Sequence, residues 1–352
     1  MLIRIATRAS PLARWQADHV AALIASVRPD AEVVVEPLST EGDRRTDVPL
    51  SEIGGKGVFA TEVQAALLDR RCDVAVHSGK DLPALTPDGL VIAAVPERGD
   101  VRDALVGCRL VDLPTDGVVA TGSARRRVQL AHLRPDLRFE ELRGNMATRL
   151  SRTADVDAIV VAAVALRRLG LEDRLSDVLP ATLMVPQVAQ GALIVECRTE
   201  DEELRAMLAA IEHGPSRRQV DAERAFLTEL GGDCSLPAGA HPALLAADSD
   251  GADHHDTDAQ QLISVRAVLG AEPDADGRVK VHHGVEVGTD PLLVGSALAV
   301  RLRSLVDADS PDATGQQHGP KEGPRHGQKE GRQEGRQHGQ AGSRPGGEED
   351  VG

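Results

Sequence analysis

The chain has 352 residues, more than one hydrophobic core usually serves, so we expect two or three domains. With one Trp, three Phe and no Tyr, the core must consist of Leu, Val, Ile and Ala. The formal net charge of −15 argues against a general nucleic-acid binder, because such proteins gain affinity by neutralising phosphates. No run approaches about eighteen apolar residues, which argues against a membrane-spanning helix.

The cysteines and the N-terminal segment narrow the class of protein further. The cysteines lie far apart with no CxxC pair, which argues against structural zinc and against a disulfide framework. They are Cys72, Cys108, Cys197 and Cys234. The segment MLIRIATRASPLARW lacks the hydrophobic region of a signal peptide. We therefore expect a reduced, cytoplasmic enzyme or binding protein.

The first predicted elements are a strand over Leu2–Ala6 and an amphipathic helix over Leu12–Val27. Ser10 followed by a proline is a good N-cap and first-turn pair. Because a helix N-terminus has free N–H groups and partial positive charge, Arg8 and Ser10 lie where an anion could bind. Plain capping is the alternative. A second strand is predicted over Ala31–Leu38.

A glycine-rich loop over Ile53–Phe59 precedes a helix that is predicted to run to Arg70. Three glycines around Lys56 allow the backbone to approach an anionic ligand closely. The GxxxxGK[ST] spacing of a P-loop is absent, so nucleotide binding is weakly supported. Core packing is the default interpretation for Phe59.

The stretch CDVAVHSGKDLPA, residues 72–84, displays an acid and a base at the end of a predicted strand. Asp73–Val76 is a short apolar run that predicts a buried strand, and Gly79 and Pro83 force a turn. Open α/β sheets bind ligands at the carboxyl ends of their strands, which makes Lys80 and Asp81 candidate site residues. A solvated turn is the alternative. Another strand is predicted over Leu90–Val95.

Beyond about residues 97–102 the chain is predicted to leave this first α/β unit. Three predicted strands, Val118–Ala120, Phe139–Leu142 and Ala158–Ala163, are each followed by arginines. Arginines in the first turn of a helix oppose the helix dipole, so an anion held there would explain them. A single pair of arginines is usually a solvated face, but the pattern recurs. The arginines are Arg125, Arg126, Arg127, Arg143, Arg149, Arg167 and Arg168.

The last third of the chain predicts a strand, Leu193–Cys197, that returns to the first domain. It is followed by two helices, a strand pair and a closing helix, over Glu202–Ile211, Ser216–Leu230, Leu262–Leu269, Arg278–Val287 and Pro291–Leu305. Glycines and a proline bracket Cys234 in a predicted exposed loop, where a thiol is accessible. The acidic stretch Asp248–Asp258 with two histidines is a metal site or, more simply, a solvated insertion. From Asp307 onward the polar, repetitive composition predicts disorder.

Eight motifs in this order resemble the porphobilinogen deaminase family, whose members are also called hydroxymethylbilane synthases. They are IATRASPLARWQ, GGKGVF, VAVHSGKDLP, TGSARRR, LRGNMATRL, RRLGL, AQGALIVECR and ERAFLTELGGDCSLPAGA. The resemblance covers roughly residues 1–245 and continues more weakly to about 306. It is specific because all eight motifs are collinear.

The resemblance implies an α/β fold with three domains, of which the first two resemble a type II periplasmic-binding-protein pair. The third would be a smaller α+β domain that carries the cofactor cysteine. The implied boundaries are 1–98 completed by 193–214, then 99–192, then 215–306, with a disordered low-complexity tail over 307–352. The resemblance also implies a cytoplasmic monomer that binds neither nucleic acid nor membrane.

The activity implied by the resemblance is the head-to-tail condensation of four porphobilinogens with loss of ammonia, followed by hydrolysis to hydroxymethylbilane. It implies a dipyrromethane cofactor bound covalently to Cys234 and a catalytic carboxylate at Asp81, with no metal. The implied cofactor-binding residues are Lys80, Arg125, Arg126, Ser123, Thr121 and Asp43. The implied substrate-binding residues are Arg8, Ser10, Arg143, Arg149, Arg168, Lys56, Phe59 and Gln190.

Some positions depart from the commonest pattern of this family. Gly79 replaces a larger side chain, which predicts a looser turn, and Ala165 and Ala189 replace glycines. Asp233 precedes Cys234 where a small neutral residue is usual, and a neighbouring negative charge disfavours the thiolate. None of these changes removes a matched arginine, Asp81 or Cys234.

Two non-catalytic alternatives stay open at this point. One is an anion-binding module such as the effector domain of a LysR-type regulator, which would predict an N-terminal helix-turn-helix and would not need Cys234. The other is a periplasmic transport receptor, which would predict a signal peptide. The intact mass of the purified protein separates the classes, because only the enzyme would carry a covalent dipyrromethane.

Overall fold

The computed structural model describes residues 1–39, 60–231, 236–245, 261–271 and 279–309. All of them lie in the first of the chain's two units, Met1–Ala313. Among the described residues, no helix is both long enough and apolar enough to span a membrane.

The described strands belong to three sheets. They are β1 (Leu2–Arg8), β2 (Glu32–Leu38), β3 (Val74–Ser78), β4 (Leu90–Ala94), β5 (Asp103–Val106), β6 (Val118–Ala120), β7 (Arg138–Glu140), β8 (Ala158–Ala162), β9 (Asp177–Val178), β10 (Leu193–Arg198), β11 (Ala238–Leu244), β12 (Ile263–Gly270) and β13 (Val281–Gly288).

The described helices alternate with the strands of the first two sheets, and the last pair packs on the third. They are α1 (Pro11–Val27), α2 (Thr61–Leu68), α3 (Ala124–Leu133), α4 (Met146–Ser151), α5 (Ala163–Arg168), α6 (Glu202–Ala209), α7 (Gly214–Glu229) and α8 (Pro291–Asp309). Short 3₁₀ turns cover Gly79–Asp81, Leu110–Asp112, Arg152–Ala154 and Glu172–Arg174.

The first sheet has the strand order β2-β1-β3-β10-β4. β1 pairs in parallel with β2 and β3, whereas β10 runs antiparallel to β3 and β4. β10 therefore returns to the first sheet, as its apolar run and position predict. One face of this sheet packs against α1. Ile5 and Val195 of the sheet and Val20 and Ile24 of α1 belong to one buried hydrophobic cluster.

The second sheet has the order β7-β6-β8-β5-β9, and two of its strands were not predicted. β5 pairs antiparallel with β8 and with the two-residue strand β9. β5 begins with an acid, Asp103, and has only four residues, so its pattern gives no local strand signal. It forms because it lies between β8 and β9, with Ala104 and Leu105 fully buried.

The first two sheets are joined by two crossing segments that lie side by side. Gly99 N donates to the Gly191 carbonyl oxygen at 3.2 Å, which ties the outgoing segment to the returning one. Parallel strands with helices between them make the chain an α/β protein, as the sequence predicts.

The third sheet is antiparallel, with the order β11-β12-β13. The pair β12–β13 is predicted from the sequence, whereas β11, which begins at Ala238 soon after the predicted loop around Cys234, was not. β11 is an edge strand, so Pro242 removes no hydrogen bond that a central strand would need. Ala240 N donates to the Pro186 carbonyl oxygen at 3.0 Å. This contact places the sheet against the returning crossing segment.

Candidate active site

The turn Gly79–Lys80–Asp81 follows β3 directly and displays two charged side chains. The Arg8 Nη1 atom lies 3.5 Å from the Asp81 Oδ2 atom, and the side chains are 22% and 33% exposed. Ser10 accepts a hydrogen bond from Ala13 N at 3.3 Å, so it caps α1 as the sequence predicts. Arg8, Ser10 and Asp81 line one cavity of about 40 Å³ together with Gln16.

Lys80 lies in a desolvated and positively charged environment. Its pKa is lowered to about 8, mainly by burial and also by the charges of Arg126 and Arg149, whereas Asp81 and Asp103 act in the opposite direction. Lys80 is on the first sheet, and Arg126 and Arg149 are on helices of the second. The cations at this site therefore come from both sheets.

Arg149 extends the same group of cations. Its helix, α4, is capped by Asn145, and the Arg149 Nε atom donates to the Gly144 carbonyl oxygen at 2.8 Å. Burial lowers the pKa of Arg149, and the positive charges of Arg126, Arg143 and Arg8 lower it further. We refer to Arg8, Lys80, Arg126, Arg143 and Arg149 as the cationic cluster.

Asp103 lies fully buried behind the cationic cluster. Its Oδ2 atom accepts from Arg125 Nη1 at 2.7 Å, and its Oδ1 atom accepts from Arg126 Nη2 at 2.8 Å and from Gln190 Nε2 at 3.0 Å. Burial alone would raise the pKa of Asp103, but Arg125 and Arg126 outweigh it and hold that pKa well below its ordinary value. Arg125 and Arg126 therefore bind a carboxylate of the chain itself.

Sequence reasoning missed Asp103, although a signal for it exists. The acid begins the apolar run DALV, and two arginines follow on a helix later in the chain. Together they indicate a buried ion pair, because a buried charge must be paired. Arg126 also donates from Nη1 to the Val160 carbonyl oxygen at 2.9 Å. All three of its guanidinium nitrogens therefore have acceptors.

Thr121 and Ser123 directly precede α3, the helix that carries both arginines of this ion pair. The Thr121 Oγ1 atom accepts from Ser123 N at 3.2 Å, and the Ser123 Oγ atom accepts from Arg126 N at 3.5 Å. Thr121 is fully buried. These two side chains hold the first turn of the helix that carries both arginines.

Arg168 contacts α1 and the returning crossing segment. Its guanidinium carbon is 5.4 Å from the ring centroid of Trp15, and its Nη2 atom donates to the Gly191 carbonyl oxygen at 2.7 Å. Burial lowers its pKa to about 10. Arg168 thus connects α5 of the second sheet to α1 of the first.

Gln190 connects the returning crossing segment to the second sheet. Besides its bond to Asp103, its Nε2 atom donates to the Val101 carbonyl oxygen at 2.7 Å. Its buried Oε1 atom has no partner among the described residues. Gln190 therefore shares the acceptor Asp103 with Arg126 of the cationic cluster.

Four predicted site residues, Asp43, Lys56, Phe59 and Cys234, lie outside the described residues. So do His254 and His255 of the acidic stretch. Leu236, the first described residue after Cys234, lines a cavity of about 10 Å³ together with Lys80, Gln187 and Arg224. The segment that leads into the third sheet therefore lies next to the turn that carries Asp81.

A second buried carboxylate, Glu223 on α7, holds both crossing segments. Its Oε1 atom accepts from Arg98 Nη2 at 2.9 Å, and its Oε2 atom accepts from Ala189 N at 3.0 Å. Burial raises the pKa of Glu223, and Arg98 opposes that shift. Sequence reasoning missed this residue too, because its partners are distant in the sequence.

The cationic cluster suits an anionic ligand with several carboxylates. The neighbouring positive charges lower the pKa of Lys80 and of Arg149, so the cluster is held together against its own repulsion. Arginine binds a carboxylate through two parallel hydrogen bonds and stays charged at any relevant pH. A bound polycarboxylate would relieve the repulsion. The described residues therefore fit a ligand that carries several carboxylates.

The comparisons with known proteins agree with this chemistry. The family model described as "Porphobilinogen deaminase, dipyromethane cofactor binding domain" matches residues 3–206. That range covers both five-stranded sheets and ends before Cys234. A porphobilinogen deaminase of Acidithiobacillus ferrooxidans is 43% identical over 305 residues, which cover 85% of this chain and 94% of that protein.

Solved structures give weaker similarity. The periplasmic aliphatic sulphonate binding protein of Escherichia coli is 14% identical and covers 66% of this chain and 75% of its own, with a TM-score of 0.37. An arginine-specific periplasmic binding protein of Salmonella typhimurium is 12% identical and covers 60% and 91%, with a TM-score of 0.35. Both TM-scores are too low to support a conclusion about this chain. On its family match and its 43% identical relative, the chain belongs to the porphobilinogen deaminase family and carries that family's dipyrromethane cofactor-binding domain.

Proposed function

We propose that the site around Asp81 condenses four porphobilinogen molecules head to tail and releases hydroxymethylbilane, as a transferase of tetrapyrrole biosynthesis. The observation that carries this proposal is the cationic cluster, which draws residues from both sheets to one carboxylate. A site with several cations near an acid suits a substrate whose side chains are carboxylates and whose reacting centre becomes positive.

The carboxylates of the cofactor and of the substrate are proposed to bind the cationic cluster directly. Arg8, Lys80, Arg143 and Arg149 are the members proposed for this contact, with Ser10 adding a neutral hydrogen bond. Arg126 has its nitrogens engaged by Asp103 and Val160, so we propose that it contributes mainly its charge. Arg125, Thr121 and Ser123 would keep Arg126 in place. Arg168 is proposed to act from α5 and Gln190 from the returning crossing segment. Lys56 and Phe59 are proposed to act from the glycine-rich loop, with Asp43 earlier in the sequence.

Asp81 is proposed to be the catalytic residue. Loss of ammonia from porphobilinogen leaves an electron-poor cation, and a fixed carboxylate stabilises a positive charge that develops beside it. The same carboxylate can hold and move a pyrrole N–H proton. The ion pair with Arg8 orients Asp81 at the edge of the cavity. When bound, the dipyrromethane supplies the nucleophilic pyrrole carbon to which the first substrate is joined.

Cys234 is proposed to hold the dipyrromethane through a thioether. Two of the other cysteines are poor candidates, since burial raises the pKa of both Cys72 and Cys197 to about 11. The reactive form of cysteine is the thiolate, which such a pKa suppresses. The position of Leu236 beside Lys80 supports delivery of the cofactor towards Asp81.

The domain organisation is proposed on the same basis. Residues 1–98 with 193–214 and residues 99–192 would form a periplasmic-binding-protein-like pair. Residues 215–306 would form the cofactor-attachment domain, followed by the tail. We also propose a monomer in the cytoplasm.

The experiment that tests the proposed function is the Asp81→Asn variant. The change keeps the size of the side chain but removes its charge, so turnover of porphobilinogen is expected to fall by about 10²–10⁴-fold. Intact mass should still show the covalent cofactor, because the carboxylates of cofactor and substrate contact the cations. Turnover above about a tenth of the wild-type value would show that Asp81 is a structural turn residue.

Two further variants complete this test. Asp112→Asn removes an exposed acid whose nearest basic atom, Arg109 Nε, is 3.9 Å away, and should leave turnover unchanged. Arg126→Leu removes a cation instead of the catalytic acid, and should impair cofactor assembly or chain elongation. Mass spectrometry before and after addition of porphobilinogen distinguishes the two kinds of defect.

A further inference from the structure

The absence of a side chain at Gly79 is required by the returning crossing segment. Gly79 is the first residue of the turn that carries Lys80 and Asp81, and it is buried. A Cβ atom at this position would lie 2.9 Å from the Ala189 Cβ atom, 3.1 Å from the Ala189 carbonyl oxygen and 3.3 Å from Ile194 Cγ1. The space beside Gly79 is therefore filled mainly by Ala189.

Ala189 occupies this space in an unfavourable backbone conformation. Its φ of +56° lies in the left-handed region, which residues with a Cβ atom rarely adopt. The other described non-glycine residues with positive φ are Arg70 and Asp116, both of them exposed. Ala189 is fully buried, so the strain persists because its surroundings hold it in place.

Hydrogen bonds to three parts of the fold hold the segment around Ala189. Ala189 N donates to Glu223 Oε2 on α7 at 3.0 Å, and Gln190 Nε2 donates to Asp103 Oδ1 in the second sheet at 3.0 Å. Gly79 N donates to the Ala192 carbonyl oxygen at 3.0 Å. The position of the Ala189 Cβ atom is thus set by the second sheet and α7, and it limits how far the turn at Gly79 can move.

We infer that Gly79 and Ala189 are a steric pair of positioning residues that sets the Lys80–Asp81 turn against the cations of the second sheet. The inference rests on the proposed function, because it assigns the pair to the placement of the proposed catalytic acid. The space between residues 79 and 189 holds a single methyl group, the Cβ atom of Ala189. The pair tolerates that group on residue 189, whereas a second one on residue 79 displaces the turn.

The test moves this methyl group from one residue to the other. Gly79→Ala is expected to lower kcat by roughly 10- to 100-fold, because a displacement of the reacting groups by about 1 Å can cost that much. The apparent KM should change much less, since Arg8, Arg143 and Arg149, which are proposed to bind the substrate, lie outside the displaced turn. The double variant Gly79→Ala with Ala189→Gly removes the clash and should restore kcat to within about threefold of wild type. Turnover is measured per mole of protein whose intact mass shows the covalent cofactor.

Ala189→Gly alone and an unrelated glycine substitution serve as controls. Ala189→Gly should keep or raise the melting temperature, because glycine adopts a positive φ without strain. Asp116→Gly relieves the same kind of strain, at a φ of 59°, in an exposed position far from the turn in sequence. It should not restore turnover when combined with Gly79→Ala.

Each outcome shows whether the pair positions the Lys80–Asp81 turn or only stabilises the fold. A double variant no more active than Gly79→Ala, or a Gly79→Ala variant with wild-type kcat, would overturn the inference. If Gly79→Ala does not fold, the double variant must both fold and turn over, and its failure would also overturn it. Failure of the proposed function is distinguishable, because the wild-type protein would then lack porphobilinogen turnover and the cofactor adduct.

Discussion

Asp103 is the residue whose replacement we expect to be most costly for the fold. It is fully buried and binds Arg125 at 2.7 Å and Arg126 at 2.8 Å, and Gln190 donates to it as well. Asp103→Asn keeps the shape but leaves two buried arginines without a counter-charge. Removing one partner of a buried ion pair typically costs about 3–5 kcal/mol in the free energy of unfolding.

This magnitude translates into a measurable shift of the melting temperature. An unfolding entropy of about 2.1 cal/mol/K per residue gives about 0.6 kcal/mol/K for roughly 300 residues. A loss of about 3–5 kcal/mol then lowers the melting temperature by about 5–8 °C. The assay is calorimetry of the wild type and the variant at pH 7, with the exposed-acid variant Asp112→Asn as control, which should shift by less than about 1 °C.

The pH dependence gives an independent check on the same ion pair. The arginines depress the pKa of Asp103 in the folded state below the ordinary value of 3.8, whereas the unfolded chain keeps that value. The stabilisation is therefore fully present above about pH 4 and is lost as the pH falls towards the folded-state pKa. The difference between wild type and Asp103→Asn should shrink below about pH 4. A variant that melts within about 2 °C of wild type at pH 7 would refute this account of the site.

Two further predictions concern Lys80 and the cysteines. Because burial lowers the pKa of Lys80 to about 8, its charge is lost above that pH, so KM for the anionic substrate should rise there. Lys80→Arg stays charged and should move that rise to higher pH, and an unchanged pH profile would show that Lys80 does not bind substrate. Cys234→Ser should abolish the covalent adduct seen by intact mass, whereas Cys72→Ser, Cys108→Ser and Cys197→Ser should keep it. An adduct that survives in Cys234→Ser would exclude Cys234 as the attachment residue.

Local sequence patterns were sufficient to predict much of the fold. The strand before Gly79, the N-cap at Ser10 and the helix that follows it all depend on residues within a few positions of one another, and the structure confirms them. The return of Leu193–Arg198 to the first sheet was predicted too, although the sequence does not show that it runs antiparallel there. Cap geometry, apolar periodicity and turn chemistry are short-range effects, so they can be recognised in sequence order.

The tertiary structure alone decided which charges meet. Asp103 is separated by 22 residues from Arg125 and by 87 from Gln190, so no local window relates them. The same holds for Glu223, which is 125 residues from Arg98. A charge can be buried only where a partner from elsewhere in the chain compensates its desolvation, and that partner is known only when the strand order is known. For this reason the sequence by itself predicted arginines in need of an anion, and only the folded chain showed that Asp103 is the carboxylate bound by Arg125 and Arg126.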